Sequence, residues 1–406
     1  MFAQTFAHTL IGLALLVICD AAVLAQSASE TGAASAADEG LVFDCPATVL
    51  DTLAPAVQTY LSALGVNPEL VASKRSAGSG ALVLSLAAGL ADRNTLDLID
   101  RDTLDLSEEQ IALPAAQGQK KWVTTVSRRE IAYALLQTGR ANVFSGRACS
   151  LEALQDQIGI RQNIVAWAES LEWQWPNGGP ARWNARYWQR GDLRRGRRLN
   201  EAVNDAFIHN SRYSIGCYTA TKLVIIQGVL DYYRRIKRDE RTLALVERQL
   251  LQDGDPLTHI EPGALWSFES DSTDADRRRP GKLLSLLPDV ASHNFVPGDW
   301  SYFLNTDPLT YQKTGYEGSN AVYLGRGKFD DYYNDHNHSY SFKEKLHEVY
   351  QWRHGVFSAS RDVAKVKPLS ARALTALGAT PQANGLLLDV RTVPLYFGFQ
   401  DLPRLQ

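Results

Sequence analysis

Three observations predict an α+β fold for this 406-residue chain. Apolar residues recur at helical spacing through most of the first half. After about Pro280, short alternating runs bounded by turn residues take over and read as strands. Between the two regions, Cys217 stands at the head of a long helical run, Thr221 to Ile236. Helices, then a cysteine-headed helix, then a small sheet is an α+β order.

The elements follow in sequence. Residues Thr9–Ile18 form an apolar run too short to span a bilayer, and Val23 and Ala25 fit the small-residue cleavage pattern of a secretory signal. Residues 1–25 are therefore expected to be a signal peptide, although no Lys or Arg precedes the run. A lipoprotein reading would use Cys19, but Val17 and Ile18 stand where small residues belong. Residues 26–40, rich in Ser, Ala and Gly, read as a flexible linker. A mainly helical domain is expected over 41–174. Its helices are Thr48–Leu64, an apolar and hence buried helix at Ala81–Leu90, Ser127–Thr138, and Ser150–Trp173 with Ser150 as N-cap. The stretch Trp173-Gln174-Trp175-Pro176-Asn177-Gly178-Gly179-Pro180 breaks the helical pattern and marks a junction, so 175–406 reads as the second domain. Trp173, Trp175, Trp183 and Trp188 crowd this junction, as packing or as a stacking surface. A helix over Asn200–Ile208 precedes the Cys217 turn. Strands are expected at Asp299–Leu304, Asn320–Leu324, Lys328–Tyr333, Leu386–Val393 and Leu395–Gly398.

Hydrophobic residues make up 45% of the chain and charged residues 21%, an ordinary globular balance. The net charge of −3 gives no reason to expect nucleic acid as a partner. No stretch beyond the leader is long enough for a transmembrane helix. Two arginine clusters stand out, Arg194-Arg195-Gly196-Arg197-Arg198 and Arg277-Arg278-Arg279. Aspartates precede the second, which reads as a solvated loop. The first lacks that balance and is either a solvated face or a contact for an acidic partner.

Cleavage after Ala25 leaves three cysteines in an oxidising, secreted or periplasmic setting. The simplest arithmetic pairs Cys45 with Cys149 and leaves Cys217 free; the alternative is three buried thiols. A thiol at a helix start meets backbone N–H groups and the positive end of the helix dipole, and both favour the reactive thiolate. Such a nucleophile needs a base. Candidates lie in the strand-rich half: Glu317, Ser319 and Asn320 in Gly315–Gly325, and His336 and His338 in the polar run Asp330–Ser339. That polar run fits neither calcium-loop nor helical zinc spacing, so no metal or cofactor is expected. His293 is a further candidate for the base, with a structural role the preferred reading, and the Asp330–Ser339 run reads as an exposed turn or as a source of the imidazole.

Ordered blocks from Asn184 to His354 resemble the bacterial spore-coat type protein-glutamine γ-glutamyltransferases. They are Asn184-Ala185-Arg186-Tyr187-Trp188, Ala202–Phe207, Cys217-Tyr218-Thr219-Ala220 with Val224-Ile225-Ile226, Val296–Phe303 and Gly318–Gly325. The resemblance implies a papain-like, NlpC/P60-type core with its nucleophile at a helix N-terminus on a small antiparallel sheet. It carries the nucleophile to Cys217. The family's Glu before the cysteine is Gly216 here, and its partner carboxylate is Ser319. Glu317 shares a strand face with Ser319 by alternation. The base is therefore Glu317, one of His336 and His338, or absent.

The implied activity is acyl transfer through a Cys217 thioester, joining glutamine and lysine side chains of protein or peptide substrates. The alternatives are a papain-like cell-wall peptide amidase and a non-catalytic binding module on a degenerate cysteine-enzyme scaffold.

Overall fold

A computed structural model of the protein describes residues 40–76, 79–87, 104–176, 180–252, 285–288, 294–305, 318–333, 339–341, 344–345, 370–372 and 386–392. The expected signal peptide and nearly all of the expected linker fall outside this set, as do Arg277–Arg279 and the expected strand at Leu395–Gly398.

The first described strand, β1 (Gly40–Asp44), leads into helix α1 (Ala47–Ala63). Strands β2 (Val71–Arg75), β3 (Leu82–Leu86), β4 (Glu109–Pro114) and β5 (Lys120–Thr125) follow, then α2 (Arg128–Leu135), β6 (Ala141–Ser145) and α3 (Leu151–Ala168). The expectation of a mainly helical region over 41–174 is thus corrected to a mixed one. The helix expected at Ala81–Leu90 is strand β3. It is one of the two inner strands of the β2-β3-β1-β6 sheet, buried on both faces, so its run is apolar without alternation. The helices at α1, α2 and α3 stand where the spacing puts them. Ser127 and Ser150 cap α2 and α3 by accepting from the Glu130 and Ala153 backbone N–H groups. A Cys45–Cys149 disulfide joins the end of β1 to the entry of α3.

A short hairpin, β7 (Trp188–Gln189) and β8 (Asp192–Leu193), precedes α4 (Leu199–Ile208), α5 (Cys217–Asp231) and α6 (Glu240–Gln252). A π-helical turn, Tyr232–Lys237, extends α5. The second sheet uses β9 (Ser285–Pro288), β10 (Trp300–Asn305), β11 (Gly318–Gly325), β12 (Lys328–Asp330), β13 (Ser339–Ser341) and β14 (Leu386–Thr392). Its order is β13-β12-β11-β10-β14-β9, with every pair antiparallel. Arg326 and Gly327, both at positive φ, make the tight turn from β11 to β12.

Helix α5 is buried on every side after Cys217, between α3, α4 and β11. Its crossing with α3 is close: a Cβ on Gly228 would lie 2.2 Å from Ile164 Cγ1 and 2.7 Å from Ile164 Cα. Asp299, fully buried, accepts from Arg161 at 2.8 Å and also pairs with Arg140, which fixes the start of β10 to α3 and to the turn before β6. One hydrophobic core runs from Leu41 to Tyr333. The tryptophans of the junction belong to it: Trp173 and Trp188 are buried, and Trp175 and Trp183 pack half-buried against it.

Candidate active site

Cys217 is the first residue of α5, behind Gly216 as N-cap, and it is half-buried and outside the disulfide. The sequence dictates this placement. Gly216 carries no side chain to crowd the turn, and the apolar run from Leu223 to Leu230 buries the helix so that its head opens toward the sheet.

Strand β11 supplies the closest described partner. Asn320 Nδ2 lies 3.6 Å from Cys217 Sγ, a hydrogen-bonding distance for the larger sulfur atom. The Asn320 amide is held in this orientation from behind: Trp300 Nε1 donates to Asn320 Oδ1 at 2.9 Å. Both residues are buried. The register makes the contact possible, because Trp300 stands opposite Val322, two residues along the same face from Asn320. The Tyr218 ring meets the Trp300 indole edge-on at 4.9 Å, so the residue after Cys217 packs on the residue that holds Asn320.

A second set of contacts fixes the backbone of Cys217. Thr221 Oγ1 donates to the Cys217 carbonyl at 2.8 Å. Having spent its hydrogen there, Thr221 accepts from Tyr332 Oη, also at 2.8 Å. Tyr332 keeps the proton that this bond requires. Burial, then the nearby Asp330 carboxyl, push its hydroxyl well above the usual tyrosine range, and Cys217 adds to the push. Tyr333 Oη donates to the Ile215 carbonyl at 2.9 Å, two residues before Cys217. Asp330 is fully buried, and its carboxyl oxygens have no hydrogen-bond partner among the described residues. Burial, then the Asp331 charge, drive its pKa well up; the nearby Asp331 backbone N–H offsets them only in part.

Of the residues singled out in the sequence, Cys217 and Asn320 are brought together. Ser319 is half-buried, one residue before Asn320, and strand alternation turns it to the opposite face. Glu317, His336, His338 and His293 lie outside the described residues. Trp300, Thr221 and Tyr332 were not marked by the sequence as site residues. Trp300 and Thr221 have no ionisable group to attract notice, and Tyr332 was visible only as part of the polar run after β11. His209, described but not singled out, is bonded through Nδ1 to Asp205 at 2.8 Å; Asp205 also accepts from Tyr213 and Asn184. This knot ties α4 and the Trp183 segment to the chain leading into Cys217. Among the described residues no group of three or more His, Cys, Asp or Glu converges on a metal position.

The arrangement presents a thiol at a helix head, an amide aimed at its sulfur and a closed hydrogen-bond chain behind it. No curated protein matches the chain. A solved structure, the transglutaminase from Geobacillus stearothermophilus without its C-terminal extension, is 18% identical, with 63% of this chain and 100% of that chain covered and a TM-score of 0.39. The family model for protein-glutamine gamma-glutamyltransferase matches residues 108–345, a span holding Cys217, Asn320, Trp300, Thr221 and Tyr332.

Proposed function

The chain belongs to the protein-glutamine gamma-glutamyltransferase family, and from that premise we propose that it is an exported acyltransferase joining glutamine and lysine side chains through a Cys217 thioester. The observation that carries the reading is the 3.6 Å contact between Cys217 Sγ and an Asn320 amide locked by Trp300. An amide N–H aimed at sulfur stabilises a thiolate, and the head of α5 adds the favourable end of a helix dipole.

The Cys217 thiolate attacks the carboxamide carbon of a substrate glutamine. The carbonyl π electrons move to oxygen, and backbone N–H groups at the head of α5 stabilise that oxyanion. The C–N bond breaks, and nitrogen leaves as ammonia with the proton taken from the thiol. A lysine amine then attacks the thioester, an isopeptide bond forms, and the thiolate departs while a base takes the amine proton. We assign the proton carrier to the segments flanking β11 and β12, as Glu317, His336 or His338. The core is assigned to the papain-like, NlpC/P60 type, in which a cysteine-headed helix packs on an antiparallel sheet. Export rests on the apolar leader and on the Cys45–Cys149 disulfide, since such bonds persist in oxidising compartments.

Incorporation of a fluorescent primary amine into a glutamine-containing protein tests the reading. The parent should incorporate it, and Cys217→Ser should lose the activity while keeping the parent's circular dichroism. A Cys217→Ser protein that cross-links as well as the parent contradicts it.

A further inference from the structure

Between Ala181 and Leu199 seven arginines stand against one acidic residue, Asp192, in a chain whose net charge is −3. All seven are exposed. Arg198 is paired with Glu247 at 3.1 Å. Among the described residues, no carboxylate lies within ion-pair distance of Arg186, Arg190, Arg195 or Arg197.

The fold presents these cations on a fixed scaffold. Arg190 and Gly191, both at positive φ, form the two-residue turn of the β7–β8 hairpin, a geometry that matches strand twist. The guanidiniums of Arg186 and Arg197 both approach the Tyr187 ring, at 5.4 and 6.0 Å from its centre. Two like charges held on one ring repel each other, and an anion settling beside them removes that penalty. Below the hairpin, Trp188 is buried and Trp183 packs on it at 5.2 Å. The unit is also tied to the nucleophile. Arg182 and Ser214 exchange backbone hydrogen bonds at 2.7 and 3.0 Å, and Ser214 is three residues before Cys217. The arginine-bearing segment is thereby joined, backbone to backbone, to the segment that leads into Cys217. An extended peptide covers about 3.3 Å per residue, so roughly six residues flanking the reacting group span ~20 Å.

We propose that the β7–β8 hairpin and the arginines around it dock an acidic stretch of the glutamine-bearing substrate, within a few residues of the reacting glutamine. The proposal rests on the acyltransferase reading for the identity of the substrate, but binding is separable from turnover. The positive field is local to the nucleophile segment, and the chain as a whole is acidic. Both facts favour a substrate-specific contact over general polyanion binding.

The test is fluorescence anisotropy with the full chain as Cys217→Ser, so that no turnover intervenes. The probes are a labelled peptide with a central glutamine flanked by glutamates and the same peptide with serines in their place. The acidic peptide should bind at least about tenfold more tightly, from several exposed charge contacts acting together. That advantage should shrink as salt rises and vanish in R186A/R190A/R195A/R197A. The quadruple variant, with Cys217 restored, should still transfer an amine to a small uncharged glutamine dipeptide at the parental rate. Equal binding of both peptides, an advantage that survives the quadruple variant, or tighter binding of a single-stranded DNA oligomer of matched charge overturns the proposal. Should the quadruple variant fail to fold, the two-peptide comparison and its salt dependence on Cys217→Ser still decide. Failure of the parent on the uncharged dipeptide would instead count against the acyltransferase reading.

Discussion

Replacing Asn320 separates its two jobs, because its two amide atoms have different partners. Asn320→Ala removes the Nδ2 donor 3.6 Å from Cys217 Sγ and strands Trp300 Nε1, now buried without an acceptor. A hydrogen bond to a charged group contributes about 1.5–3 kcal/mol, so losing the one to the thiolate should lower kcat/KM about 10- to 150-fold. The stranded indole N–H should cost about 1–3 kcal/mol of stability. Asn320→Asp keeps an acceptor for Trp300 but sets a carboxylate beside the sulfur. It should be more stable than Asn320→Ala and less active, because like charge opposes the thiolate. Trp300→Phe leaves Nδ2 in place but frees the amide to turn, and should fall between the parent and Asn320→Ala in activity. The assays are amine-incorporation kinetics, iodoacetamide labelling of Cys217 against pH, and guanidinium unfolding. Both Asn320 replacements should move the labelling midpoint upward. Asn320→Ala with activity within about threefold of the parent and an unmoved labelling midpoint would refute the reasoning.

Other expectations follow from the buried charges and crossings. The Cys45–Cys149 bond closes a span of 104 residues, so Cys45→Ala with Cys149→Ala should lower stability by about 4–5 kcal/mol in the chain-entropy account, read by urea unfolding. Burial raises the pKa of Asp299, but Arg140 and Arg161 outweigh it and hold the carboxyl low. A depressed folded value stabilises above the unfolded value of about 3.9 and loses that contribution as pH falls through the folded value. Asp299→Asn should therefore cost about 3–5 kcal/mol at pH ~7, with the gap narrowing toward pH ~3. Asp330 has the opposite sign. Its raised carboxyl holds a proton that the unfolded chain releases, so its stability contribution is fully present below about pH 3.9 and is lost as pH rises toward the folded value. Asp330→Leu should gain about 1–3 kcal/mol over the parent at neutral pH, and less at pH ~4, by removing an unpartnered buried carboxyl. Gly228→Ala would drive a methyl into the Ile164 backbone and should cost about 1–3 kcal/mol or more, seen as a lower melting temperature.

Local signals made part of this structure legible. A glycine, a cysteine and a long apolar run place a thiol at a helix head without reference to the rest of the chain. Ser150 announces α3 because a cap is a three-residue interaction; Ser127 caps α2 in the same way, though the sequence marked it only as the start of a helix. An odd cysteine count pairs Cys45 with Cys149 and leaves Cys217. The failures are non-local. An apolar run such as Ala81–Leu90 reads equally as a buried helix or an inner strand, and only its pairing with β1 and β2 decides. Asn320 was marked as a candidate, yet its orientation depends on Trp300, twenty residues earlier, through a strand register no local motif encodes. Tyr332 reaches Thr221 across 111 positions, and spacing along the chain carries no trace of that.

Trapping the acyl-enzyme tests the central claim most directly. The full chain is mixed with a glutamine peptide in the absence of amine, quenched in acid within the first turnover, and digested for mass mapping. The account expects the peptide, lighter by one ammonia, attached to the fragment holding Cys217, and its release on adding a lysine peptide. An active enzyme that carries the adduct elsewhere, or carries the same adduct when Cys217 is serine, would contradict it.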